Sequence, residues 1–267
     1  MRAITLMYHD VVEARGHEAS GFPWPDAALY KLEPEQFTAH LDAIAGALCG
    51  PPCTVSELTA ASSQMPVLLT FDDGGVSSYT RIADQLEEHG WRGHFFITAG
   101  QIGTSAFVSR EQIRDLRRRG HIIGSHSFSH PLRMAQCSWP DLVGEWWMSV
   151  GLLSDILGEQ VSAASVPGGQ YTRKIAEAAS MAGIEALFTS EPITKWHKVD
   201  GCTVYGRFAI QRWMSPCVAA DLVAGKAAPR LRQLIWWNAK KVIKTLGGEY
   251  YLKLRNTLTG ERKGNVL

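Results

Sequence analysis

The sequence predicts an α/β protein whose largely parallel sheet curls into a closed or nearly closed barrel. Three observations predict it. Short apolar runs alternate with helical stretches along most of the chain, as repeated strand–helix units do. About seven such runs fit within the 267 residues. The residues richest in chemistry fall just past the ends of these runs, the face on which parallel barrels carry their active sites. On alternation alone, a doubly wound open sheet is the other arrangement.

The elements follow in order. Residues 3–8 form an apolar run that ends at His9 and Asp10. Segment 14–33, with Gly21-Phe22-Pro23-Trp24-Pro25, is rich in turn residues and reads as a long loop. A helical pattern covers 34–48. The run 67–71 ends in Asp72-Asp73-Gly74-Gly75 and leads to a helical pattern over 77–89. The run 93–97 precedes a helix over 109–119, with Ser109 and Gln112 as a capping box and Gly120 as its stop. The run 121–125 ends in His126-Ser127-Phe128-Ser129-His130-Pro131. Ser138 opens a helix over 139–157 and Gly158 ends it. The run 162–166 ends in Pro167-Gly168. A helix over 171–182 and two final runs, 184–189 and 203–210, complete the pattern.

Composition is ordinary for a globular protein, 45% hydrophobic and 20% charged, enough for one large domain with a full core. Formal net charge is +1, which gives no basis for a nucleic acid partner. The five cysteines are scattered and odd in number, so free thiols are expected rather than a disulfide framework or a structural zinc site. No basic segment followed by an apolar core and cleavage site opens the sequence, and no apolar run of about 18 residues occurs. The expected location is therefore cytoplasmic.

The chemistry concentrates in two places. Asp72-Asp73 closes one strand and His126-x-x-x-His130 follows another. Alone, Asp-Asp-Gly is a common strand-to-turn signal and His-x-x-x-His a common surface pair. Together they supply one carboxylate and two imidazoles to a metal, Asp73, His126 and His130, and leave Asp72 as a base. Catalytic zinc commonly takes three protein ligands and keeps one position for water, whose pKa it lowers towards neutrality. Consecutive residues of an extended segment point to opposite sides, so one carboxylate can face the metal and the other the water. Zinc is the expected ion; cobalt, nickel or iron(II) suit a His2Asp set as well. A zinc protease fits poorly, because His-Ser-Phe-Ser-His lacks the internal glutamate of that motif.

Thr70-Phe71-Asp72-Asp73-Gly74 and His126-Ser127-Phe128-Ser129-His130 resemble the first two motifs of the polysaccharide deacetylases, the NodB-homology family of carbohydrate esterases. The resemblance covers roughly residues 1–215. Met7-Tyr8-His9-Asp10-Val11, Tyr30-Lys31-Leu32, Phe37 and His40-Leu41 resemble the opening of an exopolysaccharide-associated bacterial branch. The resemblance implies a distorted (β/α)7 barrel and removal of N-acetyl groups from an amino-sugar polysaccharide or its precursor. It implies Asp72 as base and Asp73, His126 and His130 as metal ligands. An O-acetyl esterase or cyclic-amide hydrolase on the same site, or a glycan-binding protein without turnover, are the other readings. The aromatic loop 14–33 reads either as a cover that stacks on sugar rings or as a surface loop packed on itself.

The chain departs from the family pattern in two motifs. Where the third motif typically reads Arg-x-Pro-Tyr-Gly, residues 165–169 read Ser-Val-Pro-Gly-Gly. Gly168 can still present a backbone N–H to a developing oxyanion. Ser165 cannot supply the cation, and Arg207, from another strand, is the candidate replacement. The late Leu-x-His that supplies the family's general acid is missing. His197 and His9 are the histidines weighed for that place. His9, Pro167, Gly168 and Arg207 are thus the expected substrate-side residues.

Two regions are expected, the deacetylase-like domain over 1–225 and a basic amphipathic extension over 226–267. The extension holds ten basic residues against two acidic ones, a charge of +8 that leaves −7 for residues 1–225. Leu231, Leu234, Ile235, Ala239, Val242 and Leu246 approximate one helical stripe. It reads either as a helix closing the barrel or as an interfacial helix that gives residues 227–254 peripheral contact with anionic lipid at the inner membrane.

Overall fold

The computed structural model describes residues 2–14, 16–58 and 65–239; the remainder of the expected C-terminal extension, 240–267, lies outside the described residues. Nine strands form one sheet: β1 (Ile4–Tyr8), β2 (Val67–Phe71), β3 (His94–Ile97), β4 (Ile122–Ser125), β5 (Ala163–Ser165), β6 (Ala186–Phe188), β7 (His197–Val199), β8 (Cys202–Tyr205) and β9 (Phe208–Ala209). The helices are α1 (Pro25–Ala28), α2 (Pro34–Ala47), α3 (Ala83–Glu88), α4 (Arg110–Arg118), α5 (Trp139–Leu157), α6 (Arg173–Met181), α7 (Pro216–Val223) and α8, residues 227–239.

Strands β1 to β6 lie side by side in chain order, all parallel. That order has no reversal point, so the doubly wound alternative does not apply. The run expected over 203–210 is divided. Its first half, β8, pairs with β6, and its second half, β9, pairs with β1 through Leu6↔Phe208 and Met7↔Ala209. One bent segment thus joins both ends of the sheet and gives a distorted seven-stranded barrel. The antiparallel strand β7 was not expected from the sequence; it is three residues long, two of them exposed, and lacks the apolar run of the others.

Every residue of β1 and β2 is buried, as parallel strands covered on both faces require. The buried hydroxyl of Thr70 donates to the Leu6 carbonyl at 2.8 Å. Helix ends follow the sequence signals. Ser109 and Gln112 form the reciprocal capping box on α4, and α5 stops at Gly158 in the left-handed conformation. The helical pattern over 77–89 starts instead as a π-helical turn, Ser78–Ile82, just after the Asp72-Asp73 turn. All five cysteines are free thiols. No helix among the described residues is long and apolar enough to cross a membrane.

Two buried histidines brace the lower barrel. His94 Nε2 accepts the Val55 N–H at 2.9 Å, so Nδ1 carries the proton given to the Leu69 carbonyl. His121 Nδ1 accepts the Gly93 N–H, and Nε2 faces Glu87. Burial pushes both down to about 4 from 6.5. Between those values the unfolded chain binds protons that the native chain does not, so stability rises with pH. In denaturant melts, stability is expected to be complete above pH 6.5 and to fall towards pH 4. Each histidine contributes up to about 1.4 kcal/mol per pH unit. A flat profile across that window would contradict the neutral assignments.

The tail helix corrects the expected packing. Helix α8 does dock on the barrel, but through Arg230, Gln233, Leu234 and Trp237, which are half-buried. Gln233 reads the Ala209 backbone twice: Oε1 accepts its N–H at 3.1 Å and Nε2 donates to its carbonyl at 3.0 Å. Leu231 and Ile235, placed by the sequence pattern on one stripe with Leu234, face outward. A helical period marks a common face; the partner groups decide which face docks.

Candidate metal centre and active site

The parallel register Tyr8↔Phe71 sets the end of β1 against the end of β2. His9 and the Asp72-Asp73 turn therefore leave the sheet side by side, with the Asp72 N–H held by the Tyr8 carbonyl at 3.0 Å. The two carboxylates then separate. Asp72 stays extended off the strand, whereas Asp73 adopts φ 75°, a left-handed conformation uncommon outside glycine. Ser127 and His130, at φ 61° and 58°, share it. Three non-glycine residues in this region within one cluster mark a backbone shaped for side-chain aim.

The turn bearing His130 is tied down by groups that the sequence reading missed. Glu145 on α5 accepts the Phe128 and Ser129 N–H groups at 2.9 and 2.8 Å and the Ser129 hydroxyl at 2.5 Å. The Ser127 hydroxyl accepts the His130 N–H at 3.1 Å. Glu145 left no local signal, since a glutamate in an amphipathic helix looks like a solvated residue.

Asp73, His126 and His130 bring one ligand atom each within 4.8 Å of one another. Asp73 Oδ1 lies 3.5 Å from Nε2 of both histidines. The tautomer of His126 follows from its other nitrogen. Nδ1 lies 3.1 Å from the Ser165 carbonyl, which only accepts, so Nδ1 carries the proton and Nε2 offers its lone pair towards Asp73. Burial, aided by His126, pushes His130 down to about 4, leaving it neutral. Two imidazoles and one carboxylate, converging within 4.8 Å, form a donor set that fits a zinc-like divalent ion.

Asp72 has a different environment. Arg207, fully buried, grips it bidentately: Nη1 to Oδ1 at 2.7 Å and Nη2 to Oδ2 at 2.8 Å. Arg207 is itself oriented by the Thr189 carbonyl and Thr70 Oγ1. The Ser165 hydroxyl donates to Asp72 Oδ1 at 3.0 Å and accepts from His126 Nδ1 at 2.6 Å, so it couples the two groups. Against the cost of burial, the Arg207 charge leads the effects that keep the Asp72 pKa below the usual carboxylate range. A carboxylate has about four acceptor sites. Three hold these donors, and one on Oδ2 is left for a water.

The remaining sequence candidates divide. His9 sits against the Tyr30 ring with centroids 4.6 Å apart and leaves β1 beside the Asp72-Asp73 turn. His197 lies exposed on the edge strand against Tyr171 and is away from this cluster. Pro167 and Gly168 follow β5 beside Ser165. Gly168 has φ 67°, and a Cβ there would lie 2.6 Å from the Leu132 carbonyl. The backbone just after His130 thus occupies the space that a side chain at position 168 would need.

Loop 14–33 reaches the candidate metal ligands. Phe22 and Trp24 stack on each other at 4.3 Å, and their rings lie 4.6 and 5.9 Å from that of His130. Lys31 holds the loop by donating to the His17, Ser20 and Phe22 carbonyls, each at 2.6 Å. Asp10 ties it to the Asp72-Asp73 turn by accepting from the Ser20 and Ser77 hydroxyls. Gly75 is required there, because a Cβ would fall 2.0 Å from Asp10 Oδ1.

Residues 60–187 match the polysaccharide deacetylase family model, a span holding Asp72, Asp73, His126, His130, Pro167 and Gly168 but neither His9 nor Arg207. This chain is a relative of the polysaccharide deacetylases. Over 130 residues it is 28% identical to YxkH of Bacillus subtilis, covering 49% of this chain and 46% of that protein. Over 124 residues it is 27% identical to PgdA of Listeria monocytogenes, a peptidoglycan-N-acetylglucosamine deacetylase, covering 46% of this chain and 26% of PgdA. The matched segment spans less than half the length of either relative. The structure of IcaB from Ammonifex degensii superposes with a TM-score of 0.67 at 21% identity, over 83% of this chain and 97% of that one. The shared fold is the NodB-type α/β barrel.

Proposed function

We propose that this chain is a metal-dependent deacetylase that hydrolyses N-acetyl groups on an amino-sugar polysaccharide or its precursor. The observation that carries the reading is the pairing of two differently treated carboxylates. Asp73 joins two histidines in a ligand set, while its neighbour Asp72 is kept ionised by Arg207 with one acceptor site open. A metal site alone does not need the second carboxylate. A divalent ion held by Asp73, His126 and His130 supplies a water of lowered pKa and polarises the acetyl carbonyl.

The chain's own residues supply the rest. Asp72 takes the proton of the attacking water through Oδ2. Ser165 and Arg207 fix that carboxylate and keep it the weaker base that stays ionised at neutral pH. The Gly168 N–H donates to the developing oxyanion. An amine leaving group must be protonated, and His9 is the donor we assign. The other histidines outside the ligand set are engaged elsewhere: His17 with Arg212, His40 with Tyr8, His89 with Asp42, His94 and His121 in the barrel, His197 with Tyr171. His9, one residue past the Tyr8↔Phe71 pair, leaves the sheet beside Asp72.

Acetate release from an N-acetylated chitooligosaccharide or exopolysaccharide tests the activity. Release is expected with zinc or cobalt and is expected to stop with a chelator. Direct metal titration of His126→Ala is expected to show affinity lowered about 100-fold or more. Parental affinity in that variant would remove the ligand assignment, and metal binding without acetate release would favour a glycan-binding role. His9→Gln is expected to leave metal binding intact and cut turnover about 100-fold. Its loss should be smaller on an O-acetyl substrate, whose alkoxide leaves with less need of the proton. Equal losses on both substrates would argue against His9 as the donor.

A further inference from the structure

Helix α8 carries an apolar face that the barrel does not cover. Leu231, Ile235 and Trp236 are 55%, 67% and 61% exposed, and Trp213, in the loop after β9, is 60% exposed. At 3.6 residues per turn these helix positions lie opposite the docked set Arg230, Gln233, Leu234 and Trp237. Arg232 sits at the centre of the outward face, with its guanidinium 6.0 Å from the Trp213 ring centroid. In the sequence, Ala239, Val242, Ile243 and Leu246 continue the same period.

We propose that this face is a docking surface for an anionic lipid bilayer. Three observations select that occupant. Residues 227–239 contain no acidic side chain, and residues 226–267 carry ten basic groups against two acidic ones. A surface of that sign and amphipathic pattern suits a negatively charged interface. The patch pairs two exposed tryptophans with an arginine, the combination that suits the headgroup layer, where indole is half-wet and a cation meets phosphate. Its placement completes the argument. Gln233 fastens α8 to Ala209 at the end of β9, and Trp237 Cη2 lies 3.3 Å from where a Gly169 Cβ would be, in the loop after β5. Both anchor points are on the strand-end face that carries Asp72, Asp73 and His126. Docking by α8 sets the mouth of the candidate site beside the membrane, where a lipid-linked or emerging glycan would be presented.

The test uses the full chain and vesicles of phosphatidylcholine with or without phosphatidylglycerol. Co-sedimentation is expected with the anionic vesicles, with a part that resists high salt, and to be weak with phosphatidylcholine alone. The triple substitution Leu231→Gln, Ile235→Gln, Trp236→Gln is expected to reduce anionic binding about tenfold or more, with the melting temperature and the metal affinity of the parent retained. Those residues touch neither the ligand set nor Asp72, so this readout is separate from the catalytic reading. Three results would overturn the proposal. One is absence of binding by the full chain. Another is binding unchanged by the triple substitution. The third is a vesicle-free dimer in sedimentation velocity that the same substitution disperses, which would assign the face to a second copy of the chain.

Discussion

Replacing Arg207 by Met is expected to destabilise the protein by about 3–5 kcal/mol, because it strands a buried carboxylate whose two oxygens both lose a charged donor. The guanidinium is fully buried and spans from the β8–β9 connection to the end of β2. Denaturant melts of Arg207→Met, Asp72→Asn and the double variant separate the pair from its parts. The double variant is expected to recover much of the loss, since removing both charges leaves neither uncompensated. Purely additive losses would mean that the pair contributes no coupling. The same substitution carries a kinetic sign. Arg207 holds the Asp72 pKa down, so its loss raises that pKa. Because the base must be ionised, the acid limb of the rate profile is expected to move to higher pH in whatever Arg207→Met protein folds. Arg207→Lys is expected to fall between, because a single ammonium cannot reproduce the two parallel bonds.

Asp72→Asn is expected to cut turnover about 100-fold or more while metal binding persists. The amide offers one oxygen where the carboxylate offered two, and its NH2 then faces a guanidinium donor or the open water site. A stability loss of about 3–5 kcal/mol accompanies it, because the buried Arg207 guanidinium loses its counter-charge. Metal titration, melting and acetate release on one preparation distinguish the outcomes. Loss of metal together with activity would make Asp72 a ligand rather than the base. Unchanged turnover would remove it from the mechanism.

Most of the barrel strands were legible because each is short, apolar along its length and stopped by a turn signal. Burial on both faces demands such runs, so the pattern is nearly local information. The run 67–71 and the helix 139–157 appear with the boundaries expected of them. The short antiparallel strand β7 and the division of 203–210 into β8 and β9 were not legible. Both depend on which neighbour a strand meets at the seam of the barrel, and that is set by closure rather than by composition.

The site divides along the same line. Asp73, His126 and His130 were identifiable by residue type and by their place after strands, and the fold brings them together. The pairing of Arg207 with Asp72 links residues 135 apart, and Ser165 acquires meaning only because its hydroxyl falls between Asp72 and His126. No spacing rule joins such positions. The clamp by Glu145 and the lodging of Phe22 and Trp24 against His130 are likewise contacts between separate elements.

The α/β class, the order of its strand–helix units and the candidate metal-ligating residue types at the strand ends are readable along the chain itself. These are dictated by apolar periodicity and turn chemistry, which act over a few residues. Only the folded chain seats Arg207, the candidate cation, on Asp72 and sets which face of α8 meets the barrel and which points to solvent. Those outcomes rest on satisfying buried charges and backbone groups across distant segments. The Asp72 carboxylate had to find a guanidinium once buried, and the Ala209 backbone found Gln233, leaving Leu231, Ile235 and Trp236 turned outward.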